Sequence, residues 1–253
     1  MDGKVAVITG ASSGIGRAAA KIFADKGYTV VAVGRNEKEL SALSNSVKSK
    51  KGAIKIHLAD VNEMSQLERI TSETIHNFGR IDVLVNSAGI LKSGSVETTT
   101  LDDWDKMMHI NLRSIFLLTQ KCVPFLAETK GNIVNVSSVA GNRSFPNLLA
   151  YCVSKAALDQ FTRCTALELA PQGIRVNAVN PGVVITSLHK RGGMEDEAYA
   201  AFLEHSKTTH PIGRPGKPEE VGDLIYYLAS DKAGWITGAT YEIDGGRGQT
   251  CAR

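Results

Sequence analysis

An α/β fold with a doubly wound, mainly parallel sheet of seven strands is predicted by three observations. Short apolar, β-branched runs recur seven times, helical patterns separate them, and turns rich in Gly, Asn or Ser follow their C-terminal ends. Alternation of this kind argues for βαβ units, whose crossovers lay helices on both faces of a parallel sheet. No linker, repeat or low-complexity segment interrupts the 253 residues. That length suits one large domain burying roughly 75% of its unfolded surface, so residues 1–253 are read as a single domain.

The first strand is predicted at Val5–Ile8 and stops at Thr9-Gly10-Ala11-Ser12-Ser13-Gly14-Ile15-Gly16, after which an Ala-rich helix runs to a Gly27 stop. Between a strand and a helix, a glycine turn lets main chain approach a pyrophosphate, which rests on the amide dipoles of the helix N-terminus. Gly-Ser clusters also make purely structural turns. A second strand, Tyr28–Val33, ends in Gly34-Arg35-Asn36. Where a dinucleotide ribose would lie, an acid selects the 2′-hydroxyl; none is present, and the planar cation of Arg35 suits a 2′-phosphate. An exposed arginine before a helix is the plainer alternative.

A charged helix is expected over Glu37–Lys50, then a strand from Ala53 to Leu58 leading into Ala59-Asp60-Val61. A helix over Met64–Phe78, capped by Gly79, precedes a buried strand at Ile81–Val85 and the turn Asn86-Ser87-Ala88-Gly89. A long helical region follows, from Leu101 towards Pro124. Inside it Asn111 stands out, because a buried amide needs partners. Gly131–Val136 is the fifth strand, delivering Ser137-Ser138. Gln172–Val179 is the sixth, reaching Asn180-Pro181-Gly182, and Tyr241–Ile243 is the last, before Asp244-Gly245-Gly246. Ligands of such sheets sit beyond the strand C-termini, so the residues at these ends converge on one edge.

Between them, Tyr151-Cys152-Val153-Ser154-Lys155 opens a helix. Residues four apart share a helix face, so phenol and ammonium can address one spot. A neighbouring cation favours the phenolate, which makes Tyr151 a proton donor or acceptor for a carbonyl or alcohol; the same spacing also occurs on ordinary helix surfaces. Cys152 reads as a small packing residue or a redox-sensitive thiol, the Val153 and Ala156 flanks favouring packing. Around 187–210, Leu188-His189-Lys190-Arg191-Gly192-Gly193 and a helix bearing Tyr199, Phe202 and Leu203 read as a lid that glycines let hinge, or as a surface helix and loop.

Composition excludes several classes. A net charge of +3 with scattered basic residues gives no nucleic-acid or membrane surface, and no apolar run is long enough to span a bilayer. The first strand begins so close to Met1 that no leader is expected, and the Cys251 tail matches no prenylation signal. Cys122, Cys152, Cys164 and Cys251 lack metal spacing; no metal is expected, and a reducing, cytoplasmic setting is.

Taken in order, these marks resemble the short-chain dehydrogenase/reductase family across essentially the whole chain. They are Gly10-x-x-x-Gly14-x-Gly16, Asp60-Val61, Asn86-x-Ala88-Gly89, Asn111, Ser138, Tyr151-x-x-x-Lys155, Pro181-Gly182-x-x-x-Thr186 and Asp244-Gly245-Gly246. Ser138 precedes Tyr151 by the usual thirteen residues. The resemblance implies a Rossmann-like sandwich, with Tyr151 as general acid in reduction and general base in oxidation. Lys155 lowers the Tyr151 pKa and holds the nicotinamide ribose, Ser138 bonds the substrate oxygen, and Asn111 steadies a relay water. It implies a dinucleotide held by Gly10, Ser12, Ser13, Gly14, Ile15 and Gly16 at the turn, with Arg35 at the ribose and Asp60 and Val61 at adenine. Asn86, Ala88, Gly89, Pro181 and Gly182 complete the site, and Val184 and Thr186 hold the carboxamide.

Gly34-Arg35 resembles the NADP(H) branch, although Ser13 stands where many such members carry a second basic residue; NAD(H) is the lesser alternative. The resemblance points to a carbonyl or secondary-alcohol substrate. A 3-oxoacyl thioester, on acyl carrier protein or CoA, and a hydroxysteroid are the candidates, and the His189-Lys190-Arg191 cluster is a possible contact for an acidic carrier. It also implies a homo-oligomer, usually a tetramer, built on the Asn111 and Tyr151 helices and the Gly245-Gly246 tail. A dinucleotide-sensing protein without turnover is the non-enzyme alternative; a lost Tyr or Lys would favour it, and both are present.

Overall fold

The structure, a computed structural model, describes residues 3–47 and 52–250. Seven strands form one sheet: β1 (Val5–Thr9), β2 (Thr29–Gly34), β3 (Ala53–Leu58), β4 (Val83–Asn86), β5 (Asn132–Val136), β6 (Arg175–Pro181) and β7 (Thr240–Ile243). Their order is β3-β2-β1-β4-β5-β6-β7, and every neighbouring pair is parallel. The sheet is thus wholly rather than mainly parallel, since each strand returns through a crossover on a face of the sheet. The order reverses between β1 and β4, where such sheets open a crevice.

Both faces are covered, so the central strands are apolar on both sides. Along β1, Ala6 and Ile8 face one core with α1 (Gly14–Asp25) and α9 (Pro218–Ala229). Val5 and Val7 face the other core, with α3 (Met64–Phe78), α5 (Ser114–Thr129) and α6 (Leu149–Leu169). The period of two in strand side chains thus partitions one short run between two cores. In the first core Phe23 meets Tyr28 and Tyr226 edge to face, at 5.1 and 5.3 Å between ring centres.

Several boundaries differ from expectation. Helix α2 is Glu37–Ser46, with Val47 extended; the rest of the charged stretch expected to reach Lys50 lies outside the described residues, as does Cys251. The long region from Leu101 is three pieces: α4 (Leu101–Met108), a π-helical turn (His109–Arg113) and α5, which continues past Pro124. Proline removes one interior hydrogen bond, and apolar burial of α5 outweighs that loss. Strand β6 takes in Asn180 and Pro181 because β7 pairs with it there, Pro181 opposite Ile243. The 187–210 stretch is α7 (Leu188–Arg191), Gly192-Gly193 and α8 (Asp196–Thr209).

Candidate active site

A cleft of about 400 Å³ lies over the C-terminal ends of β1, β2, β4, β5 and β6. At its floor Gly10 has φ +68°, and a Cβ there would lie 2.9 Å from the main chain of Ser87 and Ala88; one on Gly16 would lie 2.6 Å from the Gly10 carbonyl oxygen. Only glycine lets the turn, α1 and the β4 loop approach so closely. Thr9 Oγ1 ties the two loops, accepting from Ser87 N–H at 3.0 Å and Ala88 N–H at 3.1 Å. Ser13 precedes α1 in an extended conformation, its side chain makes no capping bond, and the first turn carries no acid. The positive end of α1 is therefore uncompensated by the chain, and it fits a pyrophosphate.

At the other side of β1, Arg35 leaves β2 two-thirds exposed, 3.2 Å from Asp60, and Asp60 and Val61 also line the cleft. Arg191 reaches the same cleft from α7. Burial, and then the charge of Arg35, lower the pKa of its guanidinium. Two cations thus stand at this end of the cleft, one following β2 and one from α7.

The proton-handling groups share one wall. Tyr151 is 7% exposed, and burial pushes its phenol up to about 12, with the Ser138 hydroxyl opposing. Lys155, 4% exposed, is pushed down to about 8 by burial, with Asp159 opposing. Its ammonium donates to the Val136 carbonyl at 2.8 Å and lies 5.8 Å from the Tyr151 ring centre. The Lys155 cation is anchored on the end of β5, and desolvation of the phenol outweighs the other influences on it. At neutral pH Tyr151 is a neutral donor. Ser138, ending the β5 loop, accepts from Ala140 N–H at 3.1 Å through Oγ, and its carbonyl accepts from Asn180 Nδ2 at 3.0 Å.

Every expected site residue lines this cleft except two asparagines. Asn86 turns into the sheet, donating to Asn135 Oδ1 at 2.9 Å; Asn135 donates in turn to Thr162 Oγ1 at 2.9 Å, a ladder joining β4, β5 and α6. Asn111, fully buried in the π-helical turn, accepts from Ile90 N–H at 2.9 Å and donates to the Ile90 carbonyl at 3.0 Å and Ser154 Oγ at 3.1 Å. These bonds answer the question of the buried amide. A π-helical turn inserts one residue, and here it aims this amide at the loop after β4.

Sequence reasoning passed over Asp159, one turn beyond Lys155. It is buried and accepts from Asn180 Nδ2 at 2.8 Å, and its i+4 spacing was the available signal. Phe145 and Arg247 also line the cleft, and their positions in a loop and a tail offer no periodic signal. On α8, Phe202 lines the cleft, whereas Tyr199 does not, its hydroxyl donating to the Thr186 carbonyl at 2.8 Å. Cys152 is a half-buried free thiol packed beside Met107, Ala150 and Tyr151.

Comparison with known proteins gives the family. Residues 10–247 match the family model described as enoyl-(acyl carrier protein) reductase. A 3-oxoacyl-[acyl-carrier-protein] reductase of Thermotoga maritima is 38% identical, over 97% of this chain and 98% of its own. Dehydrogenase/reductase SDR family member 6 of Rattus norvegicus is 40% identical, over 97% and 98%. A short-chain dehydrogenase/reductase of Caenorhabditis elegans, solved with cofactor, superposes with a TM-score of 0.92 at 37% identity, covering 98% of this chain and 96% of its own. With these relatives spanning it from end to end, the chain belongs to the short-chain dehydrogenase/reductase family.

Proposed function

We propose that this oxidoreductase, which acts between carbonyls and secondary alcohols, works with NADP(H) in preference to NAD(H), with 187–210 as its substrate lid. The observation that carries the reading is one cleft with a neutral buried phenol beside Ser138 and Lys155 on its wall and a glycine turn and Arg35 at its far end. The residues fit a dinucleotide: the Gly10–Gly16 turn and the bare start of α1 receive its pyrophosphate, Asp60 and Val61 its adenine, and Val184 and Thr186 its carboxamide. Arg35 supports the 2′-phosphate, with no acid at the end of β2 to repel it.

A dihydronicotinamide bound there supplies the hydride. Ser138 Oγ donates a hydrogen bond to the carbonyl oxygen, where charge develops, and Tyr151 Oη delivers the proton. Lys155 stabilises the phenolate left behind. Asn111, held against the loop after β4 by its bonds to Ile90, steadies a relay water that returns a proton to the pair. Tyr151→Phe should lower kcat by roughly a thousandfold on any accepted carbonyl, with little change in coenzyme KM. Full turnover by that variant would defeat the assignment.

We further read the protein as a homotetramer. The outer faces of α5 and α6 expose Phe116, Val153 and Leu167, and Phe116 meets Phe161 edge to face at 6.4 Å, an apolar surface of the kind subunits cover. The Gly245-Gly246 tail is the second interface. Light scattering should give four times the chain mass; a monomer at micromolar concentration would sink this reading. The free thiols Cys122, Cys152 and Cys164 support a reducing, cytoplasmic setting, which fractionation of the host cell would check.

A further inference from the structure

The mouth of the cleft holds a cation that makes no ion pair among the described residues. Arg247, in the turn after β7, lines the cleft half-buried, with its guanidinium 4.8 Å from the ring centre of Phe145. Among the described residues it makes no side-chain hydrogen bond and no ion pair. Asp244, whose charge favours the Arg247 cation, directs its oxygens to the Gly246 and Gly248 N–H groups at 2.9 and 2.5 Å. A partly desolvated guanidinium without a partner is costly, and stacking on an aromatic ring fixes the plane in which its fork points.

A second unpartnered group stands beside it. His189, on α7, also lines the cleft, and its Nδ1 is buried with no hydrogen-bond partner. Its ring packs at 4.6 Å on Phe202. Burial, and then the charge of Arg247, keep its pKa below the ordinary value. The planar fork of Arg247, in a mouth also lined by Phe145, His189 and Phe202, matches a carboxylate, which accepts two parallel bonds from arginine.

Resting on the hydride-transfer reading above, we propose that the substrate is an oxo acid and its product the hydroxy acid, the carboxylate held by Arg247 while Ser138 and Tyr151 receive the ketone oxygen. The balance is that of the family: oxo acid, NADPH and a proton give hydroxy acid and NADP⁺. Hydride forms the new C–H bond as the C=O π pair moves to oxygen, and that oxygen takes the Tyr151 proton.

The test is initial-rate kinetics on pyruvate, acetoacetate, levulinate and phenylglyoxylate, each against its methyl ester, with wild type, Arg247→Gln and Arg247→Lys. For at least one pair, wild type should favour the acid at least about tenfold in kcat/KM, and Arg247→Gln should cut that acid-to-ester ratio by roughly 10- to 100-fold, through KM, as loss of a charged hydrogen-bond pair implies. Arg247→Lys should recover part of it. Esters equal to acids in wild type for every pair, or a ratio untouched by Arg247→Gln, would overturn the proposal. Calorimetry of the four acids on NADPH-saturated enzyme separates the two readings. Acids that bind wild type, bind Arg247→Gln far more weakly and are never reduced would keep the anion site and remove the hydride-transfer reading. Acids that neither bind nor react would remove the anion site.

Discussion

At the β1–α1 turn the cleft is made of main chain, whereas at its mouth it is made of side chains gathered from distant stretches of sequence. The turn works because Gly10 and Gly16 carry no Cβ and the start of α1 is left bare, so recognition there comes from amides and dipoles common to any chain that adopts this path. The mouth depends on Phe145 from the loop before α6, His189 and Phe202 from the lid segment, and Arg247 from the tail. A coenzyme shared by many enzymes is met by backbone that few sequences can build. A particular substrate is met by side chains that many sequences can vary without disturbing the fold.

That contrast predicts a clean separation between two arginines. Arg35→Ala should raise KM for NADPH by roughly 10- to 100-fold more than KM for NADH, the range expected for loss of charge-assisted bonds to a phosphate, and should leave the acid-to-ester ratio alone. Arg247→Gln should do the reverse. Equal effects of Arg35→Ala on the two coenzymes would defeat the 2′-phosphate reading, and an effect of either arginine on both ratios would show that the two ends are not independent. Arg191 makes this a demanding test. It sits on α7 with His189 and lines the same cleft as Arg35, so the lid segment itself links the ends.

The same contrast explains what the sequence made legible. Thr9 to Gly16, Asn86 to Gly89 and the Tyr151–Lys155 pair lie at strand ends or at helical spacing, where local geometry follows from pattern, and the structure brings them together. The wholly parallel sheet follows from the same alternation. Asn111 was visible as an anomaly, but its clamp on Ile90 depends on a π-helical turn that no periodicity announces. Arg247 was hidden for a different reason. The return of a tail to the mouth of the cleft is a tertiary fact, fixed by the pairing of β7 with β6. Burial, which pushes the Tyr151 phenol up, was not visible in the sequence, whereas the neighbouring charge was.

Burial also sets the smallest effect that distinguishes the reaction centre from both ends. Lys155 is pushed down to about 8 by desolvation, and Asp159 opposes that shift. Below that pH the ammonium can stabilise the phenolate that Tyr151 becomes; above it the stabilisation fades, so kcat/KM for reduction should fall along an alkaline limb near pH 8. The Asp159 carboxyl is itself raised by burial, yet hydrogen bonds from Ser137 and Asn180 and the Lys155 charge favour its ionised form. Asp159→Asn preserves an acceptor for Asn180 and removes the negative charge. The sign follows: without the carboxylate the charged form of Lys155 loses support, its pKa falls further, and the limb moves to lower pH, by about half a unit to one unit for a neighbouring charge of this kind. A limb that stays in place or moves upward would show that Asp159 serves only the packing of α6 against β6. Because neither Arg35 nor Arg247 is among the causes of the Lys155 shift, their variants should leave the limb unmoved, which makes its position a readout of the reaction centre alone.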